Sequence, residues 1–335
     1  MSIAFLVPGD LDTLTGGYAY DRQIIGGLRA TGWDVDVLGL QGAAEQIADI
    51  PDGRVVVADG LAFGVIPDIV TQHAQRLRWV ALVHHPLALE TGLSERQSQQ
   101  LFESEQRALA SARLVIVTSP ATATALGRYG VPASRIQVVE PGTHPAPLAT
   151  GSLNGLSLLC VATVTPRKGH EVLIEALCGL QDRAWTLHCV GSLNRNADTA
   201  RALRAAIAMH GMSERIHLHG EVDEAQLAAR YAQADVFVLP SFHEGYGMVL
   251  AEALAHGLPI VSTTAGAIPD TVPREAGLLL PPGDALALRA ALAQLLDDAG
   301  LRASLAAGAR TARAGLPGWP HAVAEFAQAL KRLPP

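Results

Sequence analysis

Residues 236–252 read VFVLPSFHEGYGMVLAE: a short apolar run, a loop with two glycines, and the opening of an apolar pattern with helical spacing. The run 236–239 is too short for a helix and stops at Pro240, so it reads as a strand. Gly245 and Gly247 lie in the loop, and a helix opens near Gly247. Glycine lets backbone approach a ligand closely, and the N–H groups at a helix start attract anions. The combination reads as a phosphate cradle at the carboxyl end of a strand. Glu244 stands on the loop and Glu252 two helical turns further on. An ionised carboxylate only accepts hydrogen bonds and repels phosphate, so these two are read as partners of uncharged hydroxyls on a sugar or ribose.

The same strand–loop–helix rhythm runs outward in both directions. Toward the amino terminus, strands fit 3–7, 35–38, 54–58, 79–83, 114–118 and 136–139, and helices fit 17–30, 66–75, 94–110 and 120–129. At Glu140-Pro141-Gly142-Thr143-His144-Pro145-Ala146-Pro147 the pattern lapses into a linker. It restarts with strands at 156–162, 186–190, 216–218, 236–239, 260–262 and 277–280, and helices at 169–180, 200–210, 223–232, 248–256 and 285–296. Leu316-Pro317-Gly318-Trp319-Pro320 breaks the chain once more before a last helical pattern at 322–333. Alternating β and α elements imply parallel sheets with helices on both faces. The expected architecture is α/β, with two doubly wound domains at 1–145 and 146–315, and a terminal segment 316–335 whose helix leaves the second domain to pack on the first.

Bulk properties bound the function. The chain has 335 residues, enough for two domains. Its formal net charge is -7, which argues against nucleic acid as a partner because phosphate backbones select basic surfaces. Residues 1–150 hold 10 Lys+Arg against 15 Asp+Glu, a poor basis for a basic membrane-docking face, so any membrane association is expected to be weak and peripheral. The first residues, MSIAFLVPGD, have no basic region or cleavage site, and no apolar stretch approaches the ~20 residues of a membrane span. A cytoplasmic location is the expectation. Cys160, Cys178 and Cys189 form no C-x-x-C pair and sit in apolar runs, as core thiols do.

Ligands of doubly wound sheets bind beyond the carboxyl ends of the strands. There, Thr163-Val164-Thr165-Pro166-Arg167-Lys168-Gly169 puts two adjacent cations at a helix start, and Lys168 is one of only two lysines in the chain. Two cations at that point could neutralise a diphosphate without a metal. The first loop, 8–17, ends in Gly16-Gly17, but it lacks the G-x-G-x-x-G of a dinucleotide site, and no acidic residue ends the second strand. His84 and His85 follow the fourth strand; neighbours on an extended chain point to opposite sides, which disfavours joint metal ligation. The expected site has no metal and needs no cofactor.

These residues resemble glycosyltransferase family 4, retaining enzymes of the two-domain GT-B fold. The resemblance spans essentially the whole chain, and its most specific element is the E-x7-E pair Glu244 and Glu252 within SFHEGYGMVLAEALAHGLPIV. Arg167-Lys168-Gly169, Gly16-Gly17, VEPGTH at the linker and Trp319 before the last helix support it. It implies two Rossmann-like domains facing a central cleft, with the terminal helix returning to the first. By the same resemblance, Arg167 and Lys168 clamp the donor diphosphate, Glu244 holds the transferred sugar, and Glu252 reads the ribose. The N–H groups of Tyr246, Gly247 and Met248, with Gly245, face phosphates and sugar. Gly191 and the segment from His219 to Val222 belong to the donor side, the latter lying against the nucleobase. Gly16 and Gly17 approach the diphosphate from the first domain, and His84 lies near the reacting carbon. Asp59, His85, Glu90 and Ser119 are expected to line the acceptor region. The chain is short for the family, and it carries EPGTH where a second proline more often precedes the glycine.

The expected function is transfer of a sugar from a UDP- or GDP-linked donor to a hydroxyl acceptor with retention. The acceptor is a glycan, a lipid-linked or a small molecule, as in glycan, glycolipid or polysaccharide biosynthesis. A nucleotide-sugar epimerase of the same fold and a sugar-nucleotide-binding protein without activity remain the alternatives at this level; retention of Lys168 and Glu244 speaks against the second.

Overall fold

The computed structural model describes residues 1–152 and 155–333. It divides into two compact units, Met1–Gly142 with Pro317–Pro335, and Thr143–Leu316. The first holds strands β1 (Ser2–Val7), β2 (Asp34–Gly39), β3 (Val55–Asp59), β4 (Arg78–Val83), β5 (Leu114–Val117) and β6 (Ile136–Val138). The second holds β7 (Leu156–Val161), β8 (Trp185–Val190), β9 (Ile216–Leu218), β10 (Val236–Leu239), β11 (Ile260–Thr263) and β12 (Gly277–Leu280). Every pairing in both six-stranded sheets is parallel.

The strand orders are β2-β1-β3-β4-β5-β6 and β12-β11-β10-β7-β8-β9. In each sheet the chain first winds one way and then restarts on the other side of its first strand. The winding therefore reverses between β1 and β3 in the first unit and between β7 and β10 in the second. A crevice opens at such a switch point, outside the carboxyl ends of the two flanking strands. The segments that flank these points begin at residues 8 and 60 in the first unit, and at residues 162 and 240 in the second.

Helices cover both faces of each sheet, so the central strands are apolar throughout rather than alternating. β3 is buried at all five residues and β10 at all four. Each unit has its own core: Leu6, Val56, Trp79 and Val115 in the first, and Leu159, Leu187, Phe237 and Leu254 in the second.

All twelve expected strands are present, with ends shifted by at most a residue. The helices needed more correction. The expected helix 66–75 ends at Gln72, and 120–129 gives way to a 3₁₀ turn at Leu126–Tyr129. The helix Ala299–Ala312 was not read from the sequence at all. It buries only Leu305 and Ala309, so it has almost no apolar periodicity to find; alanine propensity and the Asp298 side chain, which accepts from Leu301 N, hold its start.

The last helix runs Trp319–Lys331, three residues earlier than its apolar pattern suggests. Pro320 lies in its first turn, where the missing N–H has no helical partner to lose. This helix packs on the helix Gly16–Ala30 of the first unit: Val323 lies over Gly27, where a Cβ would collide with it, and Trp319 meets Tyr20 edge to face at 5.9 Å. Residues 334 and 335 of the expected terminal segment lie outside the described residues.

Candidate active site

In the second unit, the loops after β7 and β10 meet at the switch point. Gly169 takes φ +70°, and a Cβ there would strike the Pro240 carbonyl. Phe242 N donates to the Arg167 carbonyl at 2.8 Å, and Arg167 Nη1 donates to the His243 carbonyl at 2.8 Å. With the backbones so fixed, Lys168 Nζ reaches Glu244 Oε1 at 2.6 Å, Ser241 Oγ donates to the same oxygen at 2.6 Å, and Arg167 Nη1 lies 3.6 Å from Oε2. Glu244 is 6% exposed. Burial alone would raise its pKa, but the charges of Lys168 and Arg167 and the hydrogen bonds from Lys168 and Ser241 hold it below the usual carboxylate range. Burial pulls Lys168 down, opposed by Glu244. The group is thus a two-cation, one-anion cluster with a net positive charge.

The helix Met248–Ala255 begins beside it, after Gly247 in the left-handed region at φ +85° and with no side-chain cap on its first turn. The loop is braced from β11: Thr263 Oγ1 donates to the Ser241 carbonyl at 2.7 Å, and Ala267 N to the Glu244 carbonyl at 2.9 Å. Glu252, in the same helix, accepts from the Tyr231 hydroxyl at 2.9 Å. Burial raises Glu252 to about 7, partly offset by that hydrogen bond. Tyr231 was not anticipated. Its clue is its position at the end of the helix Glu224–Gln233, where it is 2% exposed and stacks on His256 at 4.7 Å.

Gly191 N donates to the Gly220 carbonyl at 2.9 Å, joining the end of β8 to the 219–222 loop. A Cβ at Gly191 would collide with the Ala162 carbonyl. The His219 ring is held by His188, with Nε2 and Nδ1 3.0 Å apart, and Val222 packs on the core.

In the first unit, Gly17 lies against His84: a Cβ would come within 3.4 Å of the imidazole Cδ2. Gly16 opens the helix, Thr15 caps it, and Arg22 pins the preceding loop through the Leu11 and Thr13 carbonyls. His84 Nε2 stands 3.2 Å from both Asp21 Oδ1 and Asp59 Oδ2. Asp21 is a missed residue; its signal is a lone acid in an otherwise buried turn of an amphipathic helix, where it is 0% exposed.

Two residues expected in the acceptor region, Asp59 and Ser119, are buried. Asp59 is 2% exposed, and both its oxygens are committed, one to His84 and one to capping Leu61 N at 2.7 Å. Ser119 is fully buried, and its hydroxyl accepts from Thr122 N at 3.0 Å as the cap of the helix Pro120–Ala125. A strand-end position predicted exposure for both; helix capping claimed them instead. His85 and Glu90 do meet, Nε2 to Oε2 at 3.4 Å. The segment between them is tied by a second missed acid, Glu105, which accepts from Leu87 N at 2.6 Å, Ala88 N at 3.1 Å and the Tyr129 hydroxyl at 3.1 Å. The three cysteines are free; Cys178 is partly exposed rather than core, beside His210.

Two family models match the chain. "Glycosyltransferase Family 4" covers residues 55–146, and "Glycosyl transferases group 1" covers residues 155–298. A D-inositol 3-phosphate glycosyltransferase of Xylanimonas cellulosilytica is 33% identical over 288 residues, 77% of this chain and 69% of that one. An MMP alpha-(1->4)-mannosyltransferase of Mycolicibacterium hassiacum is 29% identical over 236 residues, 65% of this chain and 56% of its own. The chain spans 55–69% of the length of the first three curated relatives it matches. Among solved structures, sucrose-phosphate synthase from Thermosynechococcus elongatus superposes with a TM-score of 0.85 at 24% identity, covering 99% of this chain and 98% of that one. Anabaena Alr3699/HepE in complex with UDP and glucose gives 0.79 at 19%, covering 98% and 99%. These likenesses identify the GT-B fold. Among the described residues, no helix is long and apolar enough to cross a membrane.

Proposed function

The chain belongs to glycosyltransferase family 4, and from that premise we propose that it transfers a sugar from a nucleotide diphosphate sugar to a hydroxyl acceptor with retention of configuration. The observation that carries this reading is the Lys168–Glu244–Arg167 cluster at the switch point of the second sheet. A diphosphate entering there meets two cations and an uncapped helix start, which together offset its charge. Glu244 then exchanges a cation partner for hydroxyls of the sugar beyond the phosphates, and Glu252, two turns along, suits the ribose hydroxyls.

No divalent ion is assigned a role, because Arg167, Lys168 and the helix start already supply the positive charge that a metal would bring to the leaving diphosphate. The first unit is assigned the acceptor, a glycan, a lipid-linked or a small molecule. In the retaining route we favour, the acceptor hydroxyl attacks the face that the diphosphate leaves, and the departing phosphate oxygen takes its proton. The anomeric C–O bond breaks, a new C–O bond forms, and the proton goes to the nucleotide diphosphate.

Alr3699/HepE is described with UDP and glucose, so UDP-glucose is the first donor to try, with GDP-mannose as the guanine counterpart. A thermal-shift screen of UDP, GDP and their sugars tests the reading, since a ligand that binds only the native state raises the Tm. A shift with a nucleotide sugar that is lost in Lys168→Ala supports it. No shift with any nucleotide diphosphate or its sugar sinks it, and an epimerised sugar from donor alone turns it toward an epimerase.

A further inference from the structure

The first unit contains a buried charge cluster whose arrangement implies more than proximity. His84 Nε2 is 3.2 Å from Asp21 Oδ1 and 3.2 Å from Asp59 Oδ2, so one ring nitrogen stands between two carboxylates on different elements. The acids are 0% and 2% exposed, whereas the His84 side chain is 20% exposed. Asp21 Oδ2 is buried and has no hydrogen-bond partner among the described residues. Asp59 Oδ1 is taken by Leu61 N. Tyr20 meets the ring edge to face at 5.2 Å, and Gly17 on the same helix leaves room for it.

Two carboxylates this close and this deep repel one another and lack water to offset it, so a cation between them is strongly favoured. The group between them that can supply it is His84. With Nε2–H committed to the acids, Nδ1 is the ring's remaining polar atom and has no partner among the described residues.

We propose that Asp21 and Asp59 are positioning residues that hold His84 as an imidazolium, fixing its ring and leaving Nδ1–H as a charged hydrogen-bond donor to substrate. Held so, His84 has no lone pair with which to act as a base. Its service to the reaction is to donate a hydrogen bond to substrate, and that consequence rests on the glycosyltransferase reading; the charge state does not. The direction of its titration agrees: burial lowers His84, but the hydrogen bonds and charges of Asp21 and Asp59 outweigh it and raise it to about 10. Asp21 is raised by its burial first, and by Asp59. Of the other charged groups nearby, Glu325 on the last helix acts on Tyr20.

The test is an NMR titration of the imidazole signals of the full chain, with His84 assigned by its loss in His84→Gln. In the wild type, His84 should remain mostly protonated at pH 8, with a midpoint at least two pH units above the ~6.5 of an ordinary histidine. Asp21→Asn should lower its midpoint by a unit or more, and adding Asp59→Asn should bring it below 6.5. A neutral His84 at pH 7 in the wild type overturns the proposal, and that measurement needs no variant to fold. A midpoint unmoved in both folded Asn variants also overturns it. The three ligand-type atoms lie within 4.8 Å of one another, so stoichiometric binding of Mn²⁺ or Zn²⁺ by wild type that disappears in Asp21→Asn would overturn it too, by putting a metal where we put a proton. None of these readouts uses a sugar donor, so failure here is distinguishable from failure of the transferase reading. If that reading holds, Asp21→Asn should lower kcat on UDP-glucose at least tenfold and leave the Kd for UDP within twofold.

Discussion

Lys168 Nζ lies 2.6 Å from Glu244 Oε1, although 76 residues separate the two in the chain. A loop residue after β7 and a loop residue after β10 thus neutralise each other before any ligand arrives. On the proposed reading, a diphosphate competes with Glu244 for Lys168, and the sugar takes up the carboxylate that is released.

Lys168→Ala should remove a donor that gains strength as charge grows on the leaving diphosphate. Turnover should fall on the order of 10²–10³-fold, the usual size for loss of one such donor. Steady-state kinetics with the donor identified by thermal shift provides the check. A Lys168→Ala enzyme with unchanged kcat would remove the clamp from the mechanism.

The two glutamates should fail differently. Glu244→Gln should leave UDP or GDP binding nearly intact while damaging nucleotide-sugar binding and turnover, whereas Glu252→Gln should weaken the bare nucleotide as well. Calorimetry with each ligand distinguishes them, and equal losses for both ligands in both variants would show the roles to be misassigned.

Glu252 also predicts a pH effect. Its folded pKa is raised to about 7 by burial. Between the ordinary carboxylate range and about pH 7 the folded chain therefore binds more protons than the unfolded one, and this group's contribution to stability is lost as pH rises through that window. At pH 8, Glu252→Gln should raise the Tm by a few degrees, on the scale of about 2–4 °C per kcal/mol. As pH falls below 7, wild-type affinity for the nucleotide should weaken by up to about tenfold per unit, beyond the change seen in Glu252→Gln. Parallel pH profiles for the two proteins would refute the ribose assignment.

Gly266 tests the loop's scaffold. It takes φ +58°, and a Cβ there would collide with the Glu244 carbonyl and lie 3.0 Å from the Glu244 N. Gly266→Ala should lower stability by about 1–3 kcal/mol from the left-handed backbone alone, and weaken donor binding by displacing Glu244. A folded variant with wild-type Tm and wild-type donor affinity would show that the loop tolerates the shift.

Chelation and stereochemistry test the reaction itself. Activity should survive EDTA; loss on chelation, restored by Mn²⁺ or Mg²⁺, would count against a diphosphate met by Arg167 and Lys168 alone. NMR of the new linkage should show the donor's anomeric configuration, and an inverted product would overturn the front-face route. His84→Ala should lower turnover with little effect on UDP binding, and His85→Ala should be milder, since His85 pairs with the exposed Glu90.

The sequence by itself determined the sheets and the family. Twelve short apolar runs separated by helical patterns leave few arrangements besides two parallel sheets, because strands buried on both faces need apolar residues at every position, and that signal is local. The placement of Glu244, Glu252, Arg167 and Lys168 after β10 and β7 was equally local, because it follows from their spacing along strand, loop and helix. What only the tertiary structure decided is which groups meet across the chain. Asp21 looked like one acid in a helix until the fold laid it under His84 and opposite Asp59. Tyr231 and Glu105 likewise gained their roles from elements packed against them, and Ser119 lost an expected one to a helix cap. Hydrogen bonds reach about 3 Å, so their partners follow from the packing of distant segments, and no periodicity in the sequence records that.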